Sequence, residues 1–127
     1  MPVKSTADHE QQIVYTECTG LISLEEINHY QNTVCLNPTN LGYNELFDLT
    51  DSNFSNISYS DLISIAQKDS RIYMLNPESR FAFLTSTSHH DELADFYISV
   101  KSMSDIPSRK IDKFICRMTA ISWLTDK

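Results

Sequence analysis

Two glycines and four prolines in 127 residues leave little material for long irregular loops, and they exclude collagen-like or repeat arrays. Nucleotide-binding loops of the P-loop or dinucleotide kind need clustered glycines to let backbone approach phosphate, and the chain has none. The three cysteines, Cys18, Cys35 and Cys116, are odd in number, widely spaced and close to apolar neighbours. They read as small buried hydrophobes, not as disulfide partners or a zinc set. Basic residues are also scarce, ten against seventeen acidic ones, and the net charge of -7 argues against binding a nucleic-acid backbone. The one basic stretch, Arg109-Lys110-Ile111-Asp112-Lys113 with Arg117, is short and reads as the solvated end of a strand. No run approaches the roughly 20 apolar residues of a membrane-spanning helix. The first ten residues lack the apolar stretch of a secretory leader, so the expected location is the cytosol.

What the chain does contain is 41% apolar and 10% aromatic residues, enough to bury a real core in a single domain over residues 1–127. Gln12-Ile13-Val14-Tyr15-Thr16-Glu17-Cys18 is rich in β-branched and aromatic residues and ends at Thr19-Gly20, a strand and a turn. Ser23-Leu24-Glu25-Glu26 matches a capping box, and Leu24, Ile27, Tyr30 or Gln31, and Val34 recur at the helical period until Asn37-Pro38. A second strand follows over Tyr43–Leu49, then a polar loop, then Ser58 and Asp61 as the cap of a helix bearing Leu62, Ile65 and Ala66. Asn76-Pro77 limits that helix. Arg80–Thr85 is the clearest strand. Ser88 with Asp91 is the expected cap of a helix carrying Leu93, Phe96, Tyr97 and Val100, broken by Ile106-Pro107-Ser108. A last strand, Lys110–Cys116, leads to a short helix around Thr119–Leu124, where Trp123 is expected to pin the helix to the sheet. The alternation predicts an α/β domain: a four- to five-stranded mixed sheet with parallel neighbours and about four helices. Residues 1–9 form either an extra strand or a disordered arm.

This organisation resembles the SpoIIAA-like family of bacterial proteins, related to STAS domains. Thr19-Gly20-Leu21-Ile22-Ser23-Leu24-Glu25-Glu26 resembles the family's strand end and acidic helix start, and Leu46-Phe47-Asp48-Leu49-Thr50-Asp51-Ser52-Asn53-Phe54 its central strand end. Arg80-Phe81-Ala82-Phe83-Leu84-Thr85 resembles its next strand, and Lys113-Phe114-Ile115-Cys116 through Ala120-Ile121-Ser122-Trp123-Leu124 its ending. The resemblance covers roughly residues 10–125. It implies a sheet with helices mainly on one face and frequent self-association, here as a dimer; it does not imply an enzyme. In better-understood relatives a serine at the start of the second helix is phosphorylated, which controls binding to a partner kinase. The nearest position here is Ser58, in Asn56-Ile57-Ser58-Tyr59-Ser60, without the relatives' Asp-Ser-Ser-Gly signature. An ordinary helix cap is the other reading of Ser58.

Open α/β sheets place ligands beyond the carboxyl ends of their strands. There Asp48 and Asp51, with Ser86, Ser88 and His89, are expected to line one polar crevice. A carboxylate, a histidine and a serine are formally a nucleophilic set, but no G-x-S-x-G elbow presents the serine. His89 and His90 are adjacent and so diverge on a helix, unlike the paired histidines of a zinc site. We therefore expect no metal, no cofactor and no catalytic set. The leading expectation is a non-catalytic regulatory or protein-interaction module, homodimeric, with a protein partner. A small carrier for an apolar or lipid-like molecule is the alternative, and a hydrolase using Ser88, His89 and Asp48 is the third reading.

Overall fold

The computed structural model of the chain describes residues 2–74, 78–104 and 109–126. Five strands form one sheet: β1 (Val3–Asp8), β2 (Ile13–Leu21), β3 (Asn44–Asn53), β4 (Arg80–Leu84) and β5 (Lys110–Phe114). Four helices alternate with them: α1 (Leu24–Tyr30), α2 (Tyr59–Ile72), α3 (Ser88–Ser102) and α4 (Arg117–Thr125). The spatial order of the strands is their chain order, with β1 antiparallel to β2 and every other neighbouring pair parallel. The N-terminal residues thus supply the fifth strand, pairing Val3 with Cys18 through Asp8 with Ile13.

This order explains where the helices lie. Right-handed crossovers advancing in one direction put every crossover helix on the same face. α1, α2 and α3 share the larger core, in which Ile27, Tyr30, Leu62, Ile65, Leu93 and Tyr97 meet Cys18, Phe47, Leu49, Phe81 and Phe83 of the sheet. The helix after the last strand has no crossover to make and folds onto the opposite face. There Ala120 and Leu124 of α4 bury Ile13, Leu46, Ala82 and Leu84. The period-2 alternation of β3 and β4 divides the two faces: Leu46, Ala82 and Leu84 go to α4, and Phe47, Phe81 and Phe83 to the other three helices. An aromatic file crosses the larger core, with Phe47 5.4 Å from Tyr30, Phe81 4.9 Å from Phe83 and Phe83 5.5 Å from Tyr97 between ring centres. Trp123 packs on Phe114 and beneath Arg80, whose Nη1 donates to the Trp123 carbonyl at 2.6 Å, so it does help fix α4.

Local chemistry sets the helix starts. Ser23 with Glu26 and Ser58 with Asp61 both close full capping boxes, as their spacing predicts. α3 departs from expectation: Thr87 is the cap, accepting from the His90 N–H, and Ser88 is the first helical residue. Adjacent Thr and Ser are both competent caps, and the extended backbone falls on Thr87. The first helix also departs. It leaves regular geometry at Tyr30 and continues as a π-helical segment, Gln31–Cys35, with the Leu36 N–H donating to the Gln31 carbonyl five residues back. Asn37-Pro38 then opens a short 3₁₀ turn.

Two further readings are corrected. Cys18 and Cys35 are buried, but Cys116 is exposed because it precedes α4 at the sheet's rim. Arg109 is not at a solvated strand end; only 3% of it is exposed. The helix limits expected at Asn76-Pro77 and Ile106-Pro107-Ser108 lie outside the described residues. Among the described residues no helix is long and apolar enough to cross a membrane.

Candidate functional site

Because β2 to β5 run parallel, their carboxyl ends share one rim, and all the expected crevice residues lie there. They do not converge. Asp48 accepts from the Thr50 N–H at 2.8 Å and sits 3.8 Å from Arg117 on the α4 side. Three positions on, Asp51 falls on the opposite face by strand alternation and is exposed. Ser88 and His89 are exposed on the first turn of α3, and no hydrogen bond or ion pair among the described residues joins either to Asp48 or Asp51. The residue that turns inward is His90. Its Nε2 lies 2.9 Å from the Ser52 carbonyl, and its Nδ1 accepts from the Ser86 N–H at 3.3 Å. This network assigns the proton to Nε2. Ser86 Oγ donates to the Thr50 carbonyl at 3.0 Å. Ser86 Oγ also lies 3.4 Å from His90 Nδ1, the nitrogen that accepts from the Ser86 N–H. His90 and Ser86 therefore clamp the end of β3 to the start of α3, with both ring nitrogens engaged.

Elsewhere on the rim, Ser58 is exposed at the start of α2. Its Oγ accepts from the Asp61 N–H at 3.1 Å and lies 3.1 Å from Ser60 Oγ, while Asp61 accepts from the Ser58 N–H. Beside it Tyr59 is 58% exposed and rests on Phe96, with ring centres 4.5 Å apart; Ile63 follows on the same helix, 38% exposed. Cys116 also stands on this rim. N–H groups of Thr119 and Met118 at the start of α4, with the Thr119 side chain, lower its thiol pKa.

At the opposite end of the sheet lies a constellation the sequence did not disclose. Asp69 of α2 accepts from Lys101 Nζ at 2.7 Å and from Arg109 Nη2 at 3.0 Å. Lys101 donates also to Ser70 Oγ at 2.8 Å. Arg109 lies 3.7 Å from the Glu45 carboxylate, and its guanidinium covers the Tyr73 ring at 3.5 Å. Glu45 accepts in turn from Thr16, whose hydroxyl lies 2.8 Å from Ser5 Oγ. All four charged groups are buried, two of each sign. Burial pushes the Glu45 carboxyl up to about 7, against the pull of Arg109. Burial likewise lowers Lys101, opposed by Asp69.

Next to this cluster, between α1, α2, α3 and the sheet, is an internal cavity of about 50 Å³ with an almost wholly apolar lining, to which Tyr30, Gln31 and Asp69 also contribute. Gln31 Nε2 donates to the Ile65 carbonyl at 3.1 Å. Among the described residues, Gln31 Oε1 and Tyr30 Oη have no hydrogen-bond partner. Tyr30 is also a wall of a second space, a groove of about 560 Å³ between β1 and α1. The one sequence signal for this site is a glutamine placed within an otherwise apolar helical stripe.

Among the described residues no group of three His, Cys, Asp or Glu is disposed to hold a metal ion. Comparison with protein-family models, curated proteins and solved structures finds no match to the chain.

Proposed function

We propose that the chain is a non-catalytic, STAS-like interaction module that acts as a dimer and is regulated at the start of α2. The observation that carries this reading is the exposed Ser58 hydroxyl beside exposed Tyr59 and Ile63. Apolar side chains left in solvent next to a modifiable hydroxyl suit a surface whose partner is admitted or repelled by charge. A phosphate there would sit at a helix N-terminus, where the dipole and free N–H groups favour it, so the modified form keeps its fold while its surface changes. Five strands with helices mainly on one face agree with the architecture that the SpoIIAA-like resemblance implies.

Two variants separate capping from regulation. Ser58→Ala loses the cap and is expected to cost about 1 kcal/mol in urea unfolding. Ser58→Asp keeps a competent cap and adds charge, so its stability stays within about 0.5 kcal/mol of the parent. Native mass spectrometry of the protein from its own cells is expected to show a dimer, with phosphate on the Ser58 peptide or a bound partner that Ser58→Asp releases. A monomer without phosphate or partner would sink the proposal.

A further inference from the structure

We propose that the cavity behind Tyr30 is a binding site for a compact, neutral, mostly apolar molecule carrying one hydroxyl or N–H donor, admitted from the groove between β1 and α1. The inference stands apart from the role given to Ser58. Three observations meet at one place. The first is the pair of orphaned polar atoms: Tyr30 and Gln31 are 6% and 2% exposed, both line the cavity, and Tyr30 Oη and Gln31 Oε1 lack partners among the described residues. Buried polar groups are nearly always satisfied, so two unsatisfied ones at one empty space point to something that fills it. Gln31 Oε1 only accepts, which calls for a donor on the occupant.

The second is the backbone. α1 gives way to π geometry directly after Tyr30, and such segments are rare and concentrate at functional sites. The third is the spatial relation of cavity and groove. About 50 Å³ is well below the roughly 150 Å³ that holds benzene in an engineered cavity of another protein. An aromatic-sized molecule therefore needs more room. Tyr30 lines both cavity and groove, and the groove's 560 Å³ can take its ring when it turns aside.

The lining decides the ligand's class. Phe47, Leu49, Leu62, Ile65 and Phe83 offer nothing to an ionic group, and a charge there would be desolvated without return. The Asp69 carboxylate at the edge is already held by Lys101 and Arg109.

Phenol and toluene, alike in size and differing by one donor, are the probes. Titrated into the protein under observation of the Ile27, Leu62 and Ile65 methyl resonances, phenol is expected to give saturable shifts and to bind about fivefold tighter than toluene, as one added hydrogen bond implies. Gln31→Leu should erase that preference while still admitting both. Tyr30→Phe, a milder change, should remain folded and lower the preference if Gln31→Leu does not fold. Equal binding of the two probes would overturn the proposal. So would no saturable shift from either, with cross-relaxation to internal water at Gln31, since water then fills the space.

Discussion

Asp69→Asn is expected to destabilise the protein by about 3–5 kcal/mol in denaturant unfolding, the cost of leaving buried charge without its counter-ion. Asp69 touches both Lys101 and Arg109, at 2.7 and 3.0 Å, with all three side chains out of water. Asparagine keeps the shape and removes the charge, so the loss reads electrostatics rather than a cavity. Lys101→Met alone should also be costly, because Asp69 then loses its closest partner. The pair Asp69→Leu with Lys101→Met should lose much less than the two single changes together. It leaves Arg109 facing Glu45 as a balanced pair and places apolar groups where two desolvated ions stood. Strict additivity across that cycle, or a loss under 1 kcal/mol for Asp69→Asn, would show that the cluster is not energetically coupled.

The second large effect is a dependence on pH. Glu45 is expected to lower stability by about 3 kcal/mol as pH rises from 4.5 to above 7, measured as the difference between the parent and Glu45→Gln. Its folded-state pKa of about 7 lies above the ordinary 4.5, because burial outweighs the attraction of Arg109. In that window the folded protein holds a proton that the unfolded chain has released. Its contribution is therefore fully present below 4.5 and is lost as pH climbs through about 7. Glutamine imitates the protonated form and should flatten this part of the profile while retaining the contact with Thr16. Asp69 adds repulsion at Glu45, so Asp69→Asn should move the transition to lower pH. Parallel profiles for parent and Glu45→Gln between pH 5 and 8 would contradict this assignment.

Much of the fold was legible because its boundaries are written locally. The capping residues Ser23 and Ser58, and the alternation within Leu46-Phe47-Asp48-Leu49 and Arg80–Leu84, each lie within a few positions of the element they announce. β1 was not legible. Val3–Asp8 is a largely polar edge strand, and only pairing with β2 makes it one. Two rotations at the expected crevice were not legible. Strand alternation separates Asp48 from Asp51, and the helical turn sends His90 inward and His89 out. The charge cluster failed for another reason. Its members, Glu45, Asp69, Lys101 and Arg109, are scattered along the sequence, and Arg109 among other basic residues looks like surface. Only the tertiary fold puts Tyr73 and Phe81 against its guanidinium.

Strand order has a consequence for how the molecule is made. Each strand after the first docks on the edge left by its predecessor, so a chain emerging from the ribosome can add one β-α unit at a time without waiting for distant sequence. Every intermediate would carry an open apolar edge, since β3 and β4 are buried strands. The process ends at β5, where Lys110 and Asp112 are exposed and Lys113 is tied to Asp95 at 3.0 Å. Charges on the final edge disfavour the addition of another strand. Growth thus stops on a charged border, and α4 closes the second face after the sheet beneath it is complete.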